Sequence, residues 1–461
     1  MEHSEAEPKL ILMPAFAAGA GAGRVVRWFV REGDDVEAGD VIGEVASAAA
    51  TFEIEADTNG RIAAILVMAG SDDVRFGTPL AALTSRVTAD DRQPEPGEVP
   101  DAGEDPELTR GASKANSRSE APADGQPSVA AAIELTQSQA IRDALAAAMR
   151  RDQDVLVIGQ GVADAVGSYS PTAGLFDEFG PRRVVDTMVS PAALAGLAVG
   201  AAIEGLKPVV ALGDWRSAIA AIEPIVNTAA KACAMTGGEV KVPVVFRVTN
   251  ASASRSGAQH AQCLAAWLAH TPGLKVVAPS CPADARALMT AAIRDPGPVV
   301  VVEYDALAAI SAPVPEGDDP EDVIGGARTV RPGRHLTIVT YGRCVGLAVA
   351  AAATLAAEGI DAEIVDLRSL RPLDVDHVLT SVRRTGRLVT VEESWPFVTV
   401  GSQIVASVVA GAFASLVAPP ARVSGADVAM PYAANLEAQA LTDVERIVST
   451  VRNMVHGADA D

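Results

Sequence analysis

Lysine is scarce in this 461-residue chain: Lys9, Lys114, Lys207, Lys231, Lys241 and Lys275 are the whole set, and arginine supplies the rest of the 37 basic residues. With 59 acidic residues against them, the formal charge is −22. Such a surface repels phosphate backbones and anionic lipid, so nucleic acid and membranes are not expected as partners. Cysteine is limited to Cys233, Cys263, Cys281 and Cys344, with no CxxC spacing; this excludes a disulfide framework and fits a reducing compartment. His3, His260, His270, His335, His377 and His456 fall at no metal-ligand spacing, which argues against a zinc site. There is no Walker A sequence, no GxGxxG after a strand and no GxSxG elbow, which excludes the common nucleotide loops and a serine hydrolase built on Ser252 or Ser254. The start, MEHSEAEPK, lacks the basic and apolar parts of a secretory signal. The longest apolar stretch, Ile404 to Ala418, is shorter than the ~20 residues of a bilayer span. The expectation is a soluble cytoplasmic protein, and the Ala and Arg bias suggests a GC-rich bacterial source.

What is present is ample core material. Apolar residues make up 49% of the chain, and its length suggests about three domains. An internal repeat lies near the start: Gly23 to Val45 overlays Gly60 to Leu83, pairing Gly23, Arg24, Val25 and Val30 with Gly60, Arg61, Ile62 and Val67, and Gly33 with Gly70. After one inserted residue, Val36, Gly39 and Ile42 pair with Val74, Gly77 and Leu80. Each copy is a short β-rich run, a turn with Gly and Asp, and another run, predicting a small all-β unit of two similar halves. Residues 86–132 are rich in Pro, Gly, Ser, Asp and Glu and read as a flexible acidic linker. From Glu134, Ala- and Leu-rich helical stretches alternate with continuous β-branched runs such as DVLVIG, KPVVAL and VPVVFRVT, the pattern of an α/β domain on a mostly parallel sheet. A second α/β unit begins near Arg334, and Pro313 to Gly333 reads as the segment crossing between them.

Two resemblances emerge from these stretches. LILMPAF, REGDDVEAGDVIGEV, EADTNGRI and GTPLAAL resemble the lipoyl (biotinyl/lipoyl attachment) domain, whose acceptor lysine stands in a D-K-A triplet at a hairpin tip; here Ala49 stands at that place. An amide-linked arm requires an amine, so no lipoate is expected on this chain. IVNTAAKACAMTGG, GAQHAQCLAAWLAHTPGLKVVAP, AAIRDPGPVV, RLVTVEESWPF and SGADVAMPYAANLE resemble the β subunit of the thiamine-diphosphate-dependent decarboxylase component of 2-oxo-acid dehydrogenase complexes, above all the pyruvate enzyme. The resemblance implies a multidomain chain: a lipoyl-like domain over 8–85, a transketolase-like pyrimidine-binding α/β domain over 133–320 and a transketolase C-terminal-like α/β domain over 330–456. It also implies an α2β2 heterotetramer, work on a lipoyl-bearing acyltransferase core, and thiamine diphosphate with Mg²⁺ at the α–β interfaces. No GDG with a downstream Asn pair occurs, Gly213-Asp214-Trp215 being the nearest text, so the diphosphate end is expected to lie mainly on a partner subunit.

The family's G-E-E-V motif, whose second glutamate activates the aminopyrimidine ring, reads Gly159-Gln160-Gly161-Val162 here. Gly161 has no proton to exchange and the Gln160 amide is no acid; Asp164 is the nearest alternative carboxylate. A second family carboxylate falls on Pro191, and the T-F-N-F segment that packs beside the pyrimidine reads Asp214-Trp215-Arg216-Ser217. Ala49, Gly161 and Pro191 are thus degraded positions, while Trp215 keeps a ring for stacking. His260, in GAQHAQC, is by the resemblance the residue that helps hold substrate and transfer the acyl group to lipoate; by itself it reads equally as a packed residue at a helix start, with His270 further along the same predicted helix. Cys263 reads as a small core residue of that helix, and Glu392 and Glu393 as carboxylates on opposite faces of a strand end. The resemblance further implies a K⁺ site, built largely of backbone carbonyls in the family, which would map to Ala292, Asp295 and Gly297.

The reading is therefore a β-subunit-like component of pyruvate dehydrogenase that assembles with an α subunit and carries degraded catalytic positions. The alternative is a catalytically silent paralogue with an assembly or regulatory role. A transketolase-like or deoxyxylulose-phosphate-synthase-like enzyme is disfavoured because those carry the diphosphate-binding half on the same polypeptide.

Overall fold

The structure, a computed structural model, describes residues 9–13, 22–46, 51–56, 58–75, 77–85, 132–163, 170–315, 317 and 324–457. These fall into two compact units, one within residues 9–85 and one from Ala132 onward. Ala49, Asp164 and the linker up to residue 131 lie outside the described residues.

The first unit realises the repeat as two four-stranded sheets. One runs Lys9–Leu12, Pro79–Ser85, Gly60–Ile65, Asp35–Val36, and the other Thr51–Glu55, Val41–Ala46, Ala22–Trp28, Val74–Arg75, so equivalent strands hold equivalent places. The two halves are tied by reciprocal bonds at matched positions. Gly33 N donates to Ile62 O at 2.8 Å, and its counterpart Gly70 N donates to Val25 O at 2.7 Å. Both glycines sit at positive φ, 95° and 87°, where a β-carbon would be strained. Met13, Val25, Ile42, Val45, Ile62, Leu80 and Leu83 fill the space between the strands.

The second unit holds two α/β layers. Its larger sheet has the order Val184–Asp186, Val155–Gly159, Lys207–Asp214, Val245–Asn250, Val299–Tyr304, Lys275–Val277, Ser369–Arg371. The first six strands are parallel, and their runs of buried valine reflect cover on both faces. The seventh, antiparallel strand comes from beyond residue 330, so the downstream part of the chain closes the upstream sheet. The helices Gln137–Arg151 and Pro282–Arg294 cover one face. The first starts at a capping box in which the Thr136 hydroxyl accepts from Gln139 N and the Gln139 side chain accepts from Thr136 N. The other face packs against Pro191–Ile203 and onward into Val339, Leu367, Val378 and Ile404 of the downstream part, in one continuous apolar cluster. The smaller sheet runs Arg328–Arg331, Ala362–Asp366, Leu336–Thr340, Leu388–Val391, Ala421–Val423, parallel apart from its first strand.

Two expectations are corrected. The segment Pro313 to Gly333 is more than a crossing: Ser311–Pro315 pairs with Ala132–Thr136, and Arg328–Arg331 joins the smaller sheet. The single helix expected to carry both His260 and His270 is two short ones, Gly257–His260 and Ala265–His270, parted by residues 261–264. Cys263 lies in that break, although it is buried as a core residue should be. No described helix is long and apolar enough to cross a membrane.

Candidate functional site

Parallel sheets present their chemistry at the carboxyl ends of the strands, where loops open into a crevice. Five of the expected positions gather at that end. Gly161 follows the strand Val155–Gly159 in a left-handed turn, φ 67°. Its N–H donates to Asp186 Oδ1 at 3.0 Å, and Ala163 N donates to Asp186 Oδ2 at 3.1 Å, so the carboxylate ending the neighbouring strand folds this turn onto itself. Gln160 is exposed. Pro191 opens the helix Pro191–Ile203 as its first residue, where its fixed φ suits the helix and its missing N–H costs nothing.

Trp215 begins the helix Trp215–Ala220 immediately after the strand Lys207–Asp214. Its indole is 1% exposed and Nε1 donates to Asn250 Oδ1 at 3.3 Å. The ring expected to stack on a cofactor is thus packed into the core, while Arg216 beside it is exposed. Asn250 passes the contact on: its Nδ2 donates to Glu393 Oε2 at 2.6 Å, and the Ser252 hydroxyl donates to the same oxygen at 2.7 Å. The other Glu393 oxygen accepts from the Arg343 guanidinium. Glu392 faces a separate set of donors, Tyr341 Oη at 3.0 Å, Ser394 Oγ at 2.9 Å and Gly401 N at 2.9 Å. The two adjacent carboxylates therefore serve separate internal networks, as alternation along a strand end requires. Burial, with the Glu393 charge adding, pushes the Cys263 thiol far above its ordinary value, which removes it as a nucleophile.

His260 ends its short helix with Nδ1 against Asp214 Oδ2. Asp214 also caps the helix of Trp215, Oδ1 accepting from Ser217 N at 3.2 Å. Two more acids stand at the end of the strand Val299–Tyr304, two places along the sheet from the strand of Asp214. Glu303 is held by the Arg247 fork at 2.6 and 2.9 Å. Asp305 is pushed up to about 6, first by burial of its carboxyl and then by the Glu303 charge, with the Ser254 hydroxyl bond pulling it down. Asp305 keeps exposed surface, so water screens part of that effect.

The structure does not bring Ala292, Asp295 and Gly297 to this place. Ala292 lies in the last turn of the helix Pro282–Arg294, and Asp295 and Gly297 follow it, just before the strand Val299–Tyr304 and at the amino end of the sheet. A six-residue strand, roughly 17–20 Å, separates the two ends. There Ala292 O already accepts from Asp295 N at 3.3 Å, Gly297 N donates to Asp295 Oδ1 at 2.9 Å, and the Lys275 ammonium rests on the Asp295 carboxylate. A cleft of about 600 Å³ also opens at the amino end, lined by Arg142, Arg150, Glu178, Lys207 and Arg286. Its cations are largely matched, Arg150 by Glu178 and Lys207 by Asp152, and none of the expected chemical positions reaches it. The carboxyl end is therefore the candidate site. No group of three metal-ligating side chains occurs among the described residues.

Sequence reasoning met Asp214 only as part of an incomplete GDG and of the Asp214-Trp215-Arg216-Ser217 segment, giving it no role, and it did not single out Asn250, Asp186 or Arg343. The usable signal was positional: Asp186, Asp214 and Asn250 are polar residues that terminate otherwise apolar parallel strands.

Comparison with known proteins accounts for this organisation. Residues 134–308 match the pyrimidine-binding domain of transketolase, 325–447 the transketolase C-terminal domain, and 9–83 the biotin-requiring enzyme (biotinyl/lipoyl) family. Among solved structures, a split-gene transketolase described as an inactive β4 tetramer superposes with a TM-score of 0.58 over 70% of this chain and 99% of that one; at 24% identity this shows the fold alone. The pyruvate dehydrogenase E1 component subunit beta-1, mitochondrial, of Arabidopsis thaliana is 48% identical over 69% of this chain and 89% of its own. The pyruvate dehydrogenase E1 component subunit beta of Rhizobium meliloti (strain 1021) is 43% identical over 96% of this chain and 99% of its own, so the likeness extends through the N-terminal unit as well. With both α/β parts and the N-terminal unit matched in a single relative, this chain belongs to the family of pyruvate dehydrogenase E1 component β subunits.

Proposed function

We propose that this chain is a β-type subunit that assembles with a separate α-type chain, the pair having the architecture of a 2-oxo-acid decarboxylase, and that its own half of the cofactor site has lost the power to activate thiamine diphosphate. The observation that carries the reading is Gly161. The position where the resemblance calls for a carboxylate offers only a backbone N–H, and Asp186 has taken it. Pro191 in place of the second carboxylate and the closed packing of Trp215 point the same way. These residues do not fit the aminopyrimidine end of the cofactor. Mg²⁺ and the diphosphate end would belong to the α-type partner, and a lipoyl-bearing acyltransferase core would be the wider assembly.

A second reading, an active decarboxylase whose carboxylate comes from elsewhere, is favoured by His260 with its acidic partner, an arrangement with no evident use in a silent scaffold. Co-expression with α-type chains of the same genome, followed by a 2-oxo-acid decarboxylation assay with thiamine diphosphate and Mg²⁺, separates the two. The expected outcome is a stable assembly without turnover; turnover at the rate of an ordinary decarboxylase overturns the proposal. A Gly161→Glu variant belongs beside it. Its glutamate would start from a left-handed backbone costing roughly 1–2 kcal/mol, so any gained activity is expected to be slight.

A further inference from the structure

The residue before Trp215 is a hydroxyl residue in the T-F-N-F segment of the resemblance and an aspartate here. Its two carboxylate oxygens do different things. Oδ1 caps the helix that carries Trp215, and Oδ2 meets His260 Nδ1. We propose that Asp214 is a positioning residue that fixes the tautomer of His260, holding the proton on Nδ1 and leaving Nε2 as the only ring nitrogen able to exchange a proton with a ligand.

A carboxylate is an acceptor only, so the ring nitrogen facing it must be the one that carries hydrogen. Free imidazole in water favours the other tautomer, with hydrogen on Nε2, so a bond from Nδ1–H to a carboxylate reverses the resting preference and holds the plane of the ring. The second bond of the same carboxylate, to Ser217 N, means that the ring is oriented relative to the start of the Trp215 helix. The loop leading to His260 is itself pinned: Arg255 N donates to Glu437 Oε1 at 3.0 Å, and Ala253 and Arg255 hold positive φ of 70° and 52°. Histidine and aspartate thus meet from two anchored elements, and the dyad does not depend on the rotamer freedom of an open loop.

The use of this dyad in acyl transfer rests on the second reading, an active decarboxylase, but the tautomer rests on neither reading, and the test is chosen for that reason. The full chain is labelled with ¹⁵N at the histidine rings; only six histidines contribute, and His260→Gln assigns the one of interest. In the wild type, His260 Nδ1 is expected to give the shift of a protonated nitrogen. In Asp214→Asn the protonated fraction at Nδ1 is expected to fall to a minority, because the amide can turn its N–H toward the ring. Asparagine is as good a helix cap as aspartate, so a residue that only caps would leave the ring unchanged. Asp214→Ser, which keeps a capping oxygen but cannot reach as far, provides a second variant with the same expectation should the first fail to fold. An unprotonated Nδ1 in the wild type, or an unchanged tautomer in both variants, overturns the proposal. Failure to assemble or to decarboxylate moves none of these signals.

Discussion

Asp366 is fully buried, and its carboxyl is pushed up to about 6. Lost hydration is the main cause and the Asp284 charge adds to it, while the Ser280 hydroxyl at 2.6 Å, Arg368 N at 3.1 Å and the Arg328 charge pull it back. A carboxyl whose folded value lies above its unfolded value of ~4 favours the folded state fully below pH ~4, and that contribution disappears as pH rises through about 6. Stability is therefore expected to decline across this window by an amount on the order of 1–3 kcal/mol attributable to this group. In Asp366→Asn, which keeps an acceptor for Arg368 N, the urea midpoint measured from pH 4 to 7 should lose that part of its slope. The identity of such residues was only half legible from sequence. His260, Trp215 and Gly161 stood out because they fall in recognisable text. Asp214 and Asp366 did not, because their roles depend on partners distant in sequence, at His260 and at Ser280.

At the scale of elements, alternation of apolar strands with Ala-rich helices was readable, because a parallel strand covered on both faces must be continuous in valine and isoleucine. The repeat was readable for a similar reason, since matched turn glycines impose matched backbone. What could not be read was the break between Gly257–His260 and Ala265–His270, where helix-forming residues persist but the chain does not stay helical. The chain leaves the helix at Ala261, φ −87° and ψ 56°, a buried residue that packs with Met430, Ala440 and Leu441, partners far away in sequence. One glycine in the recognisable text has a plain packing reason. Gly273, in HTPGLK, holds φ 93°, and a β-carbon there would stand 1.9 Å from Ala230 O in the IVNTAAKACAM stretch. Two of the stretches that carry the family resemblance are thus bound by a backbone approach that only glycine permits. Gly273→Ala is expected to cost more than ~2 kcal/mol, combining strained φ with overpacking against a carbonyl that cannot move aside. Denaturant unfolding of the full chain measures it.

Across the whole molecule, the two α/β parts from Ala132 onward share one apolar cluster and one polar chain, Trp215 to Asn250 to Glu393 to Arg343. Arg343 and Glu393 both lie in the downstream part, and the bonds that cross are those of Asn250 and Ser252 to Glu393, so separating the parts would strip that buried carboxylate of two donors and open the shared apolar cluster. They should therefore unfold together. Trp215 lies in the upstream part and Trp395 in the downstream part, and the chain has only four tryptophans. Variants that keep one of these two as the fluorescent probe are expected to give the same denaturant midpoint; two separated midpoints would refute a common unit.

The antiparallel strand Ser369–Arg371, which completes the larger sheet beside Lys275–Val277, has a consequence during synthesis. A ribosome adds about 5–20 residues each second, and about 90 residues separate the two strands, so roughly 5–20 s pass between the making of one and the making of the other. Throughout that interval the nascent sheet has a row of amides and carbonyls on Lys275–Val277 with nothing of its own to pair with, a vacant template for a neighbouring nascent chain on the same messenger. The family's arrangement of its two α/β parts in one polypeptide thus sets a clock on the newborn protein: the upstream part is translated early but finished late.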